Sequence, residues 1–308
     1  MVCVIIVLYN GLYRQWIDQC FSSLRKSKEP LSVIAIDNGS SDGSIAFVRE
    51  KYPEVQLFVS SKNLGFGGAN NWGMSEALAQ SADFVFLLNQ DAWINEDTIS
   101  LMLAYAKTNP QFGVLSPIQL NGIGTALDYN FSNYINPECC NGFYSDAVLG
   151  KVEDKVYPVD FVCAAAWLIS KSCLKLVGGF SPTFFHYGED DNYCQRVLYK
   201  GLKVGIVPKA YIYHDREDRG AFDRKNIDVN WGYNRLKIRA SDPSRDEFKA
   251  IYNENRKGVL RAFLTGQFEE AKRYTSYLKL LSEDRQKIIE NRSDSISGRP
   301  YLFLTYDI

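Results

Sequence analysis

The chain has 308 residues, 46% of them hydrophobic and 23% charged, the balance of a soluble globular protein that can bury a sizeable core without disulfides or a structural metal. Thirty-five Lys and Arg against 36 Asp and Glu leave a formal net charge of −1, which argues against nucleic acid as a partner. Seven cysteines without a CxxC pair and only two histidines fit a reducing compartment and argue against a Cys/His zinc site. The opening MVCVIIVLYN is too short to span a bilayer and carries no basic leader, and no later stretch reaches spanning length. The expectation is a cytoplasmic protein whose only membrane contact would be peripheral.

Val2 to Tyr9 is a continuous β-branched and apolar run, as in a parallel strand buried on both faces. Leu12 to Leu24 carries apolar residues at helical spacing, and Leu31 to Ile36 is a second buried strand ending at Asp37. A helix is predicted over 44–51, a strand over 55–59, a glycine-rich loop over 63–70, a helix over 71–79, and a fourth strand over 84–88 running into Asn89-Gln90-Asp91. This rhythm predicts an α/β fold, a mostly parallel Rossmann-like sheet flanked by helices. Ligands of such sheets bind beyond the carboxyl ends of the strands, where Asn10, Asp37, Asn63 and Asp91 all fall. The middle, 121–158, reads as long loops with a hairpin. Phe161 to Ser170 and Lys209 to Tyr213 are strand-like, and a helix covers Tyr193 to Lys200. Beyond Asp215 charge rises and helical spacing returns over 247–263 and 268–289. The expected division is a main part over 1–215, with one half to about 120 and another from about 121, followed by a mostly helical extension over 216–308.

The segment NLGFGGANNWG, Asn63 to Gly73, follows a strand and opens a helix. Glycines let backbone amides approach a diphosphate, and a helix N-terminus favours negative charge. The same pattern, with Asp91 some twenty residues on, suits a dinucleotide fingerprint, but it would be the second βα unit and the third fingerprint glycine is Asn70. Tight-turn geometry alone would also account for the glycines. Asp91 ends a strand, and Asn95, Asp97 and Thr98 are better caps for the next helix, which frees its carboxylate for a hard divalent ion bridging phosphates. The run Glu189-Asp190-Asp191 places three acids before a helix. A favourable helix dipole explains one or two of them, whereas three crowded carboxylates raise one another's pKa, a property useful in a general base. His214, after a strand, is a further candidate metal ligand.

Together the stretches VLYN, IDNGSSDGS, NLGFGGANNWG, LLNQDA, GGFSPTFFHYGEDDNYCQR and VPKAYIYHD resemble the inverting nucleotide-sugar glycosyltransferases of GT-A fold, rhamnosyltransferase-like bacterial members above all. The likeness runs in order from Met1 to about Asp215. It implies that Asp37 hydrogen-bonds the donor's base, beside the backbone of Val7 to Tyr9. Asn10, Asn63, Gly65, Gly68, Asn71, Asn89 and Gln90 would line the donor site. Asp91 matches the last acid of the DxD motif, Asp190 the base of the ED motif with Glu189 and Asp191 at its sides, and His214 a histidine completing a Mn2+ or Mg2+ site. Asn89 stands where the first DxD acid is expected and Asn192 where related members carry an acid. The implied reaction moves a sugar from a nucleoside diphosphate (dTDP-rhamnose or a UDP-sugar) to a saccharide or lipid-linked oligosaccharide in cell-surface polysaccharide synthesis. Two alternatives are a catalytically inactive sugar-nucleotide-binding module and an NAD-dependent oxidoreductase. In the extended loop expected at 186–192, Asp190 would face away from both acidic neighbours.

Overall fold

A computed structural model describes residues 1–216 and 224–305; the side chains of Tyr13 and of residues 224–230 lie outside the description, as do positions 217–223 and 306–308 of the expected extension. In chain order the elements are β1 (Val2–Leu8), α1 (Trp16–Arg25), β2 (Leu31–Asp37), α2 (Ser44–Lys51), β3 (Gln56–Val59), α3 (Gly65–Ala79), β4 (Phe84–Leu88), β5 (Ala92–Ile94), α4 (Thr98–Thr108) and β6 (Phe112–Asn121). There follow α5 (Tyr129–Ser132), α6 (Asn141–Val148), β7 (Tyr157–Val159), β8 (Ala166–Ser170), α7 (Lys171–Val177), α8 (Glu189–Tyr199) and β9 (Lys203–His214). The chain ends in four helices, α9 (Arg224–Ser241), α10 (Phe248–Leu264), α11 (Phe268–Glu283) and α12 (Arg285–Ser297).

The strands form one sheet in the order β3-β2-β1-β4-β8-β6-β9-β5, with β7 also paired to β9. The first half, β3 to β4, is parallel throughout. The second half is mixed: β8 runs antiparallel between β4 and β6, and β9 is parallel to β6 but antiparallel to β5 and β7. The unbroken apolar run of β1 follows from burial on both faces. Cys3 and Ile5 pack with Met74 and Ala77 of α3 and Tyr193 of α8, whereas Val4, Ile6 and Leu8 pack with Phe21 of α1, Val48 of α2 and Met102 of α4. The crossover helices thus divide over the two faces, and the strand ends at one edge of the parallel half are left to loops.

Two local expectations are overturned. Residues 65–70 are helix, not loop: α3 begins at Gly65. Glycine is a poor helix former, but a Cβ at Gly73 would stand 2.5 Å from Ile5 Cγ2, so the glycine lets α3 lie closer to β1 than any side chain would permit. Gly65, at φ +77°, takes a left-handed backbone where the chain passes the Phe185 carbonyl. The acids at 189–191 are likewise the first turn of α8, so they fan out at helical spacing instead of alternating. The predicted first helix starts four residues late, at Trp16, because Asn10, Arg14 and Gln15 are left-handed. The hairpin expected in the middle segment closes between Gln119 and Asp128, through Asp128 N–H to Gln119 O at 2.9 Å. The remainder of that segment includes α5, α6 and β7, and β5 and β6 add strands without a sequence counterpart.

The C-terminal helices carry an apolar cluster of their own around Tyr233, Ile251, Tyr277, Leu281 and Ile288. The predicted 268–289 helix is divided at Asp284, which accepts from Tyr233 Oη at 2.6 Å and ion-pairs with Lys237 at 3.3 Å. The last described residues return to the sheet. Tyr301 and Leu304 join the core under α3 and α8, and Leu302 O accepts from Gly179 N at 2.8 Å.

Candidate functional site

Beyond the ends of β1 and β2 the chain makes a tightly bonded loop cluster. Asp37, the last residue of β2, is fully buried; its Oδ2 accepts from the backbone N–H groups of Gly39 and Ser40 at 3.2 and 3.1 Å. Its Oδ1 is buried and meets no donor among the described residues, which leaves it open to an N–H from a ligand. Asn10 Oδ1 accepts from Ser41 N at 2.8 Å. Asn38, which the sequence reading passed over, ties this loop to the start of α3 by donating to Asn63 Oδ1 and accepting from Leu64 N. Asn63 Oδ1 in turn receives Gly65 N at 2.8 Å.

Gln90 is a positioning residue. Its side-chain amide accepts from Tyr9 N at 2.9 Å and donates to Tyr9 O at 3.0 Å, fixing the turn after β4 against the exit of β1, where Val7 and the exposed Tyr9 lie. Asn89 is half-buried and its N–H donates to Ala165 O at 2.9 Å. Gly68 is interior to α3, next to Leu64. Asn71 is committed elsewhere: its amide donates to Phe180 O at 2.8 Å and accepts from Phe180 N at 2.7 Å, anchoring the GGFSP segment.

Asp91 and His214 are brought together because β5 pairs antiparallel with the end of β9, Ala92 facing His214. Both side chains are almost wholly buried, and His214 Nε2 stands 3.5 Å from Asp91 Oδ1. On the opposite edge of the imidazole, Nδ1 lies 3.5 Å from Asp128 Oδ2, and Arg216 Nε lies 3.6 Å from the same oxygen. Burial first, then the Arg216 charge, depresses the His214 pKa to about 3, so the ring is neutral near pH 7 and keeps a lone pair for a ligand. Neither ring nitrogen has a hydrogen-bond partner among the described residues. Among those residues no group of three or more His, Cys, Asp or Glu side chains is gathered in a way that could hold a metal ion unaided. The Asp91–His214 pair does fit a hard cation whose remaining ligands are phosphate oxygens.

The acids at the start of α8 complete the site. Glu189 is buried, its Oε2 without a hydrogen-bond partner among the described residues, and burial with the neighbouring Asp190 charge pushes its pKa up to about 8. Asp191 is raised to about 7 by burial and then by Asp190. Burial raises Asp190 too, but the N–H of Asp191 at 3.0 Å, the Ala164 N–H and the Arg216 charge oppose that rise. The Arg216 charge is among the influences that favour ionised Asp190, and the Arg235 charge among those that favour ionised Asp191. Asp128 and Arg216 bridge the histidine and the acids, and the sequence reading missed both. Asp128 is also the N-cap of α5, accepting from Phe131 N at 2.8 Å, a local role that gives no hint of its long-range one. Asn192 is fully buried and accepts from Arg196 Nε at 3.2 Å; Arg196 reaches on to the carbonyls of Val177 and Gly179.

The model of glycosyl transferase family 2 matches residues 3–174, more than half the chain. This protein belongs to that family. Its fold is GT-A, as solved structures show: residues 1–349 of S. aureus TarS in complex with UDP-GlcNAc superpose with a TM-score of 0.55 at 17% identity, over 96% of this chain and 90% of that one. The mannosyltransferase PcManGT of Pyrobaculum calidifontis, in complex with GDP-Man and Mn2+, gives 0.53 at 17% identity over 95% and 79%. In sequence, the N-acetylglucosaminyl-diphospho-decaprenol L-rhamnosyltransferase of Mycobacterium tuberculosis (strain CDC 1551 / Oshkosh) is 27% identical over 213 residues, 62% of this chain and 68% of the relative. No described helix of this family 2 chain is long and apolar enough to cross a membrane.

Proposed function

We propose that the chain transfers a sugar from a nucleoside diphosphate to an acceptor hydroxyl with inversion at the anomeric carbon. The observation that carries this reading is the buried Asp91–His214 pair, 3.5 Å apart, at the strand-end edge that also holds Asp37. Asp37 Oδ1, which meets no donor among the described residues, would accept the imide N–H of a uracil or thymine base. Asp91 and His214 would hold a divalent cation together with the donor's diphosphate; the bound ion supplies charge neutralisation to the departing oxygens. Asp190 accepts the proton of the acceptor hydroxyl while that oxygen bonds to the anomeric carbon and the bond to the diphosphate breaks. Burial raises the Asp190 pKa, which suits proton acceptance, and the Arg216 charge opposes part of that rise.

The catalytic part would span 1–215 and the helical extension 216–308. The relative that acts on a diphospho-decaprenol saccharide supports a lipid-linked saccharide as acceptor class and dTDP-rhamnose as a donor to test, with UDP-sugars beside it. The oxidoreductase reading has no such support: the glycines that suggested it lie within α3, and Gly73 serves packing against β1.

Calorimetry with UDP, dTDP and NAD, each with and without Mn2+, tests the proposal. One nucleoside diphosphate should bind with an affinity that rises with Mn2+, and Asp91→Ala and His214→Ala should each remove that rise. Binding of NAD alone, or nucleotide binding indifferent to Mn2+ in all three proteins, would overturn it.

A further inference from the structure

The turn between α10 and α11 exposes four large apolar side chains. Leu260, Phe263 and Leu264 close α10, Phe268 opens α11, and they are 62, 57, 79 and 60% exposed. The rings of Phe263 and Phe268 meet edge to face at 6.2 Å, so the four form one patch. At 100° per residue, Arg256, Lys257, Leu260, Phe263 and Leu264 fall within an arc of roughly 120° on α10. The solvent-facing side of that helix is therefore basic for one turn and apolar at its tip. Both cations are exposed, and neither makes an ion pair with a described residue, in contrast with Lys272 and Arg273 of α11, which pair with Glu269 and Glu270.

We propose that this hairpin tip docks the protein on an anionic lipid surface, with Leu260, Phe263, Leu264 and Phe268 entering the headgroup–acyl boundary and Arg256 and Lys257 meeting lipid phosphates. An apolar wedge with cations directly behind it matches the layering of a membrane interface. A second copy of the chain fits less well. Two phenylalanines and two leucines at these exposures present roughly 400 Å2, about half of what each partner contributes to a stable dimer. The tip also stands on the side of the proposed acceptor. Gly232 of α9 lies against the Tyr277 ring of α11, and the neighbouring Trp231 faces Tyr187, three residues before Asp190. Tyr277 and Phe268 are nine residues apart, roughly 14 Å along the helix. A surface held at the tip would thus lie within a few helical turns of the loop that leads into the base.

The test is co-sedimentation of the full chain with vesicles of phosphatidylcholine alone and of phosphatidylcholine mixed with phosphatidylglycerol. It needs neither donor nor turnover, so it stands or falls apart from the transferase reading. The wild type should sediment with the mixed vesicles and release at high salt. Leu264→Ser with Phe268→Ser, both surface changes, should lower partitioning at least tenfold, the equivalent of burying one such side chain. Arg256→Gln with Lys257→Gln should cost about fivefold per cation on the mixed vesicles only. Circular dichroism confirms that each variant is folded. Absence of vesicle binding by the wild type, or equal binding by the Leu264/Phe268 variant, overturns the proposal. So does a concentration-dependent dimer in sedimentation velocity that the same double substitution abolishes, because the tip would then be a self-association surface.

Discussion

Glu189→Gln isolates the most unusual titration in the molecule. Glu189 is 5% exposed, its Oε2 has no hydrogen-bond partner among the described residues, and its pKa is raised from 4.5 to about 8, burial being the larger cause and the Asp190 charge the next. A carboxyl whose folded pKa exceeds its unfolded value favours the folded state while protonated. That contribution is complete below the unfolded pKa and is lost as pH rises through the folded one. The window for Glu189 therefore runs from 4.5 to about 8, and within it each pH unit costs up to about 1.4 kcal/mol of folding free energy. Between about pH 5 and about pH 8 the wild type should lose roughly 2–4 kcal/mol through this residue. Glutamine keeps the shape and has no proton to lose, so the variant should match the wild type at the acid end and exceed it at the alkaline end. Urea unfolding across the range measures both curves, and a constant m-value shows that only stability has changed. Parallel curves for the two proteins would refute the argument, and with it the idea that Glu189 is neutral in the folded protein at physiological pH.

Three further outcomes are expected. Asp190→Asn should lower turnover of the identified donor by roughly 10²–10⁴ while nucleotide affinity by calorimetry stays within a factor of two or three; unchanged turnover would transfer the base to a neighbour. Asp37→Ala should weaken nucleoside diphosphate binding by about 1.5–3 kcal/mol, the value of a hydrogen bond to a charged group, and equal affinity would remove Asp37 from base recognition. Gly73→Ala should destabilise by about 1–3 kcal/mol through overpacking against Ile5, read as a lower urea midpoint with nucleotide binding intact; a wild-type midpoint would show that α3 can shift freely.

The parallel half of the sheet was legible because its strands are buried on both faces and so read as unbroken apolar runs, with Asp37 and Asp91 marking where the runs stop. His214 was legible for the same reason, as a polar residue directly after Tyr211–Tyr213. The helical starts at Gly65 and Glu189 were not. Glycine propensity opposes the first, and the three acids suit a helix N-terminus by charge but crowd one another there. Tertiary terms decide instead: contact with Ile5 for α3, and burial that shifts the pKa values of Glu189 and Asp191 upward for α8. Asp128 and Arg216 were invisible for another reason. Asp128 approaches His214 only because the hairpin of residues 119–128 folds back beside the end of β9, a contact 86 positions apart in sequence that no local pattern encodes.

Asn192 is the departure that most invited a reading of lost activity, because an acid is expected there among related members. The structure gives the position another task. Arg196 is 1% exposed, and its guanidinium is held by the carbonyls of Val177 and Gly179, by Asn192 Oδ1, and by the faces of Tyr193 and Phe303 at 5.0 and 5.4 Å. The turn these bonds fix, Val177 to Gly179, leads into Phe180, whose backbone Asn71 clamps from α3. Asn192, directly after the acids, therefore belongs to the scaffold that sets α8 against α3. A carboxylate at 192 would add a fourth acid to Glu189, Asp190 and Asp191 on a buried helix start, and its repulsion would raise the Asp190 pKa further. The neutral amide avoids that while still serving Arg196, so Asn192 has a structural task that does not depend on any loss of activity.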